Sequence, residues 1–329
     1  MSDAETILRN LLTRITQEQD YKDADVTIRA LTSGGANYTS TLYSATITSP
    51  ENDTLKLFAK VANINEKLRA AMKDSNIFET ENFFYTQLAS VYEGLQDKYA
   101  LANEDRLVFP KFYGSNTKEF EETVVLEDLV AAGYSPFSRF KVIDWEHCAA
   151  AVQALARFHA LSFAYQKYDP ENFQKVINKL TIVVPEAIDD PVMKETWGKM
   201  VGSSVEVVKE EHKEKLLKFL SESSLDKFYR YRRPLKTPII SHGDYRISNL
   251  LFRKRNKLET IVVDYQTLHS GSPATDLLYL EFLGTDQQFR KENHERILSY
   301  YHEQLGLALA RLGVDVNEVF PREVFDSEV

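Results

Sequence analysis

Ser241-His242-Gly243-Asp244-Tyr245-Arg246-Ile247-Ser248-Asn249, then Leu250-Leu251-Phe252 and, after a second apolar run, Val263-Asp264-Tyr265, is the stretch on which the reading of this chain turns. Two acids and an amide are brought together by two short strands. Asn249 follows Asp244 by 5 positions, and Asp264 stands directly after the apolar residues that precede it. That spacing suits phosphoryl transfer, in which a positioned carboxylate accepts a hydroxyl proton while an amide and a second carboxylate hold Mg²⁺ against the phosphate charge. The residues therefore predict Asp244 as the base, with Asn249 and Asp264 as metal ligands. A turn followed by an exposed strand-end acid is the plainer reading of each residue alone, and their joint spacing argues against it.

Upstream, Ile7, Leu11, Leu12 and Ile15 recur at helical spacing over residues 4–18. Three runs rich in β-branched and aromatic residues follow, Val26 to Leu31, Thr41 to Thr48 and Leu55 to Val61, and read as an antiparallel meander. A helix is predicted over about Asn76 to Tyr92, then strands near Leu107 to Tyr113 and Thr123 to Glu127. Residues 128–143, with Gly133 and Pro136 and no sustained period, read as a crossing segment. Beyond them the pattern is helical: Trp145 to Tyr165 with Cys148, Val152, Leu155 and Ser162 on one face, a long charged region from Val192 to Leu220, and a last helix marked by Ile297, Tyr301, Leu309 and Leu312. A β-rich island from Pro238 to Tyr265 interrupts them.

The 329 residues, 43% hydrophobic and 27% charged, are enough for one bilobal enzyme and are composed like an ordinary globular protein. A net charge of -9 leaves no global attraction to nucleic acid or an anionic membrane. The single cysteine, Cys148, reads as a small buried hydrophobe and fits a reducing compartment. The first residues, MSDAETILRNLL, lack the pattern of a secretory leader, and no run of about 18 apolar residues occurs, so a cytoplasmic protein is expected.

With these residues in view, the chain resembles the choline-kinase and aminoglycoside-phosphotransferase superfamily, and more closely its ecdysteroid-kinase-like family. The resemblance spans most of the chain and rests on His242 to Asn249, on Asp264-Tyr265-Gln266, and on Gly271-Ser272-Pro273-Ala274-Thr275-Asp276-Leu277-Leu278-Tyr279, the most family-specific piece. It implies an α+β, bilobal protein-kinase-like fold: an antiparallel-sheet ATP-binding lobe at 1–128 and a mainly helical catalytic and substrate lobe at 129–329. It also implies ATP and Mg²⁺ as cofactors and a small-molecule hydroxyl acceptor, with no nucleic acid, membrane or obligate protein partner.

Site residues follow from the same resemblance. Ser33-Gly34-Gly35-Ala36-Asn37-Tyr38 looks like the loop over the phosphates, with Gly34 and Gly35 letting backbone N–H groups approach closely. Lys60 on the third strand would hold the α- and β-phosphates, and Glu81, rather than Glu79, would pair with it. Val124 to Leu129 looks like the hinge that meets adenine, so Glu127 and Leu129 are expected at the nucleotide. His242 and His159 are expected to be structural, and Asp276 to hold the catalytic loop through backbone N–H groups.

Two departures stand out. Arg246 occupies a position where the ecdysteroid-kinase-like pattern carries Trp, and a cation there is placed to meet the transferring phosphate. The sequence also stops at Val329, where family members continue with further helices, so either exposed apolar surface or a shortened substrate wall is expected. The acceptor that the resemblance suggests is an ecdysteroid or another lipophilic alcohol. Choline, an amino sugar or a xenobiotic remain alternatives, as does a pseudokinase that binds nucleotide or steroid without turnover. Aromatic residues of the helical half such as Phe137, Phe140, Trp145, Phe163, Tyr165, Phe173 and Trp197 are expected to be core rather than pocket.

Overall fold

The structure, a computed structural model, describes residues 3–32, 39–64, 66, 69, 76–138, 140–181, 191–222 and 230–329. The phosphate-loop candidates Gly34 and Gly35 lie outside the described residues, as does the side chain of Trp197.

Helix α1 (Asp3–Glu18) buries Leu8, Leu11, Leu12 and Ile15 against a five-stranded sheet. The strands are β1 (Asp25–Leu31), β2 (Ser40–Thr48), β3 (Leu55–Ala62), β4 (Phe112–Asn116) and β5 (Thr123–Glu127), in the order β1-β2-β3-β5-β4 with every neighbouring pair antiparallel. Side chains alternate between faces along a strand. Leu57, Ala59 and Val61 therefore meet α1, together with Tyr43, Ala45, Ile47 and Val125. The same alternation turns Phe58 and Lys60 to the opposite face, which looks toward the helical half. Helix α2 lies between β3 and β4 and runs Ile77–Phe83, through a π-helical turn Phe84–Leu88, to Ala89–Lys98. Its apolar face joins the second, larger core, along with Val124 and Leu126 of β5.

That second core is organised by α3 (Trp145–Tyr168), which Asp144 caps by accepting a hydrogen bond from the His147 N–H at 2.9 Å. Strand β6 (Ser135–Pro136) precedes it, and α4 (Pro170–Leu180), α5 (Pro191–Val207) and α6 (Glu210–Glu222) follow. The β-rich island comprises β7 (Ile239–Ser241), the antiparallel pair β8 (Leu250–Lys254) and β9 (Leu258–Val262), and β10 (His269–Gly271), which pairs with β7. Helices α7 (Pro273–Gly284), α8 (Gln287–Arg311), α9 (Val316–Val319) and α10 (Arg322–Glu328) complete the chain. Ile297, Tyr301, Leu305 and Leu309 of α8 are buried in the core that α3 organises, and Phe325 of α10 is fully buried against Tyr301 and Phe320.

Several elements differ from the sequence expectation. The strand expected from Leu107 begins only at Phe112: Leu107 and Phe109 are buried in the core without pairing, and Pro110 has no N–H to give a ladder. Val192 to Leu220 is two helices, broken at residues 208–209. The crossing segment contributes β6, which pairs with β8. Helix α4 was signalled by Asp169-Pro170, an N-cap acid followed by proline at the first helical position. Among the described residues no helix is long and apolar enough to cross a membrane.

Candidate active site

The turn between β7 and β8 is held from below by one buried carboxylate. Asp276, in the first turn of α7, accepts the backbone N–H of His242 at 2.7 Å and of Gly243 at 2.9 Å. It also meets His159 Nε2 at 3.1 Å, while His159 Nδ1 lies 2.7 Å from the Tyr301 hydroxyl. Burial alone would raise the pKa of Asp276, but the His159 hydrogen bond and the nearby histidines outweigh it and hold the value at about 2. The turn requires its glycine. Gly243 has φ +82, and a Cβ there would lie 2.2 Å from the Thr267 carbonyl oxygen.

His242 is fully buried, with Nε2 3.2 Å from the Val263 carbonyl and Nδ1 3.4 Å from the Asp244 N–H. Those partners suit a neutral ring that donates from Nε2 and accepts at Nδ1, and burial lowers its pKa accordingly. His242 thus spans the turn and the strand end that carries Asp264. Asp244 follows in the same turn. Its Oδ2 accepts the Asn249 amide at 2.9 Å and stands 3.1 Å from Arg246 Nε. Burial raises its pKa above the ordinary carboxylate value, against the lowering effect of Arg246.

Asp264 ends the β8–β9 hairpin in the left-handed region, φ 71, and this backbone turns its carboxylate toward the sheet. There Lys60 Nζ donates to Asp264 Oδ1 at 2.7 Å and to Glu81 Oε1 at 2.7 Å. Glu81 is 3% exposed, and burial pushes its pKa up against the pull of Lys60. Asp264 goes the other way: burial would raise its pKa, but the charge and hydrogen bond of Lys60 bring it below the ordinary value. Lys60 in turn resists the loss of charge that its burial favours, because the two carboxylates raise its pKa. Glu79 points elsewhere, 3.4 Å from Lys179.

A cavity of about 410 Å³ lies between the sheet and the β8–β9 hairpin. Lys60, Glu127, Leu129, Asn249 and Asp264 line it, with Leu42, Phe58, Leu126, Leu251 and Val263 as apolar walls. Of the candidates among the described residues, Glu81 and Asp244 do not line it; Glu81 meets it through Lys60, and Asp244 through Asn249.

The sequence matches the ecdysteroid kinase-like family over residues 34–314. The chain belongs to that family, and with it to the small-molecule kinases. No curated protein matches it. Among solved structures it is similar to an ethanolamine kinase of Plasmodium vivax, at 12% identity and TM-score 0.42 over 95% of this chain and 80% of that one. It is also similar to an aminoglycoside-3'-phosphotransferase of type VIII, at 14% identity and TM-score 0.41 over 98% of this chain and 99% of that one. A glucosamine kinase gives 13% identity and TM-score 0.38 over 95% and 77% of the two chains.

Tyr279 is the neighbour of the site to which sequence reasoning gave no role: burial first, then the nearby Asp244 charge, raises the pKa of its hydroxyl. The signal was present, since Tyr279 follows Asp276 by three residues and shares its helix face. Cys148 is buried and its thiol is pushed up to about 12, as befits an inert packed side chain. Phe163, Tyr165 and Phe173 are core, whereas Phe140, expected there too, is 86% exposed on the segment before α3.

Proposed function

We propose that this ecdysteroid kinase-like protein transfers the γ-phosphoryl group of MgATP to a hydroxyl of an ecdysteroid or a similar lipophilic alcohol. The observation that carries the reading is the meeting of Lys60 with Glu81 and Asp264 at 2.7 Å, where Lys60, Asp264 and Asn249 line one cavity and Asn249 holds Asp244 at 2.9 Å.

The donor set suits the cofactor. Asp264 offers a carboxylate, and Asn249, which spends its amide N–H on Asp244, offers an amide oxygen; both are hard ligands of the kind Mg²⁺ takes. Among the described residues no cluster of three or more His, Cys, Asp or Glu forms a metal cage. Asn249 and Asp264 would hold such an ion and leave positions for phosphate and water, as Mg²⁺ sites at nucleotides do. When bound, MgATP supplies the phosphoryl group and neutralises its charge.

The chain's own residues do the rest. Residues 1–128 act as the ATP-binding lobe and 129–329 as the catalytic and substrate lobe. Leu42, Phe58, Leu126 and Leu251 give a flat base apolar walls, with Glu127 and Leu129 at the hinge. Lys60, kept charged by two carboxylates, orients the phosphates, and Glu81 fixes Lys60. Asp244 accepts the proton of the acceptor hydroxyl, and its raised pKa brings it closer to that task than an ordinary carboxylate. Arg246, beside it, is placed to meet the phosphoryl group in flight. The Gly34-Gly35 loop is proposed to cover the phosphates.

The test is phosphate transfer from MgATP to a panel of ecdysteroids and other lipophilic alcohols, with choline and amino sugars included, read by product mass. Asp244→Ala beside the wild type is expected to lose on the order of 10²- to 10⁴-fold in rate. Product on choline or an amino sugar alone would move the acceptor class, and MgATP binding without any product would turn the reading to a binding protein.

A further inference from the structure

Ser272 joins three parts of the molecule. It is fully buried at the N-cap of α7, where its Oγ accepts the Ala274 N–H at 3.2 Å. Its carbonyl accepts the hydroxyl of Ser241, the residue before His242, at 3.4 Å. The proton of its own hydroxyl goes to a side chain 56 residues away, Oε2 of Glu328 in α10, at 2.5 Å. The other oxygen of that carboxylate, Oε1, accepts the backbone N–H of Lys236 at 3.2 Å. Glu328 therefore bridges the chain as it approaches β7 and the chain as it leaves β10. Those two strands pair with each other, and β7 runs directly into the turn that carries Asp244.

A hydroxyl has one proton to give. With that proton committed to Glu328, the lone pairs of the Ser272 oxygen are left for the Ala274 N–H, the bond that caps α7. Asp276 sits in the first turn of the same helix and grips the N–H groups of His242 and Gly243. Helix α10 is 7 residues long, too short to hold its shape unaided. Phe325 and Glu328, three apart on one face, anchor it. Phe325 lies 5.5 Å from the Tyr301 ring, and the Tyr301 hydroxyl leads through His159 to Asp276. Both anchors thus lead to the carboxylate that supports the turn.

We propose that Glu328 is a positioning residue: by holding the Ser272 cap it fixes the first turn of α7, and with it Asp276, against the turn that presents Asp244 to the acceptor hydroxyl. The proposal rests on the reading of Asp244 as the base. The role needs the reach of the Glu328 side chain and an oxygen that accepts, and it does not need the negative charge. Glu328→Gln keeps the reach and one acceptor oxygen. Glu328→Asp keeps the charge and is one methylene short of Ser272.

The experiment compares wild type with Glu328→Gln, Glu328→Asp and Asp244→Ala. Amide hydrogen exchange, read by mass spectrometry, follows peptides covering residues 241–250 and, as a reference, α1 and β2. Phosphate release from MgATP with water as acceptor gives kcat and KM. In Glu328→Asp the turn is expected to exchange roughly 3- to 10-fold faster than in wild type, with kcat lowered by a similar factor, the KM for ATP unchanged, and α1 and β2 unmoved. Glu328→Gln should stay within about twofold of wild type in both readings. Turn exchange in Glu328→Asp equal to wild type overturns the proposal. Faster exchange in the turn and the reference alike overturns it too, as does a loss in Glu328→Gln as large as in Glu328→Asp. Asp244→Ala tests the reading beneath it. Phosphate release as fast as wild type would end Asp244 as the base and the catalytic part of the proposal with it, while the exchange rates would still decide whether Glu328 holds the turn.

Discussion

Lys60 Nζ stands 2.7 Å from Asp264 Oδ1, across 204 residues of chain. The contact joins the third strand of the sheet to the strand end beside the turn that carries Asp244, and the same ammonium also meets Glu81. One cation thus bridges two carboxylates that are 3% and 19% exposed. Lys60→Met would leave both acids with no positive charge between them. Removing one member of a buried ion pair costs about 3–5 kcal/mol, and the partial exposure of Asp264 puts the expected loss at about 2–4 kcal/mol. Urea denaturation checks it, and Lys60→Met with Glu81→Gln should recover part of the loss, because the less favourably ionised acid is then gone.

Gly243 is the narrowest point of the turn. A methyl group there would meet the Thr267 carbonyl at 2.2 Å and His269 Nδ1 at 2.7 Å, and φ +82 would cost about 1–3 kcal/mol for a non-glycine residue even with room. Gly243→Ala is expected to lower stability by more than that strain alone and to displace Asp244, the next residue. Circular dichroism with thermal denaturation, alongside MgATP turnover, should show a folded protein with reduced Tm and activity lowered at least tenfold. A variant with wild-type Tm would show that the turn relaxes without strain.

The turn was legible in the sequence because its chemistry is local: Asp244, Asn249 and Asp264 lie within one short β-rich island, and the three strands and α1 announce themselves by period. What was hidden depended on distance in the fold or on apolar residues without a period. Helix α7 reads Leu277-Leu278-Tyr279-Leu280-Glu281-Phe282-Leu283, apolar on nearly every side. It buries Leu277 and Leu280 while Phe282 and Leu283 are exposed, a division that no sequence period reveals. The break between α5 and α6 falls where no glycine or proline marks it. Leu107 and Phe109 look like strand residues because the core needs them, yet their backbone makes no ladder. Tyr279 escaped for a further reason: the charge that acts on it, Asp244, is on another element.

Acid should unfold the protein in two stages, each with its own group. His269 is 2% exposed, and burial, then the Arg232 charge, hold its pKa at about 4 against the ordinary 6.5; Asp276 and the Thr267 carbonyl act the other way. The unfolded chain protonates at the ordinary value, so this contribution is complete above pH 6.5 and is lost as pH falls toward 4, by at most about 3 kcal/mol. Asp276, at about 2 when folded against 3.8 ordinarily, keeps its contribution down to pH 3.8 and loses it between there and 2. Urea denaturation at a series of pH values resolves the first stage. His269→Asn keeps a donor for the Thr267 carbonyl and cannot titrate, so it should flatten the upper limb, leaving the part due to His242, whose pKa burial also lowers. An unchanged slope would assign that limb to other groups.

Phe84 and Tyr265 stack with ring centroids 3.5 Å apart and planes 12° from parallel, and both rings are fully buried. Tyr265 follows Asp264 directly, and Phe84 lies one helical turn after Glu81, so the stack clamps together the two segments whose carboxylates meet on Lys60. Phe84→Ala removes a whole buried ring and is expected to cost about 3–5 kcal/mol. Phe84→Leu keeps most of the volume and should cost about 1–2 kcal/mol while loosening the register of the clamp. The conservative variant separates the two roles: it should fold, with a lower Tm, and show a KM for ATP raised several-fold, because Glu81 and Asp264 no longer hold Lys60 in one place. Thermal denaturation and steady-state titration with MgATP measure both quantities. A lowered Tm with unchanged KM would mean that the sheet and the β8–β9 hairpin fix Lys60 by themselves, and that the aromatic stack serves the core alone.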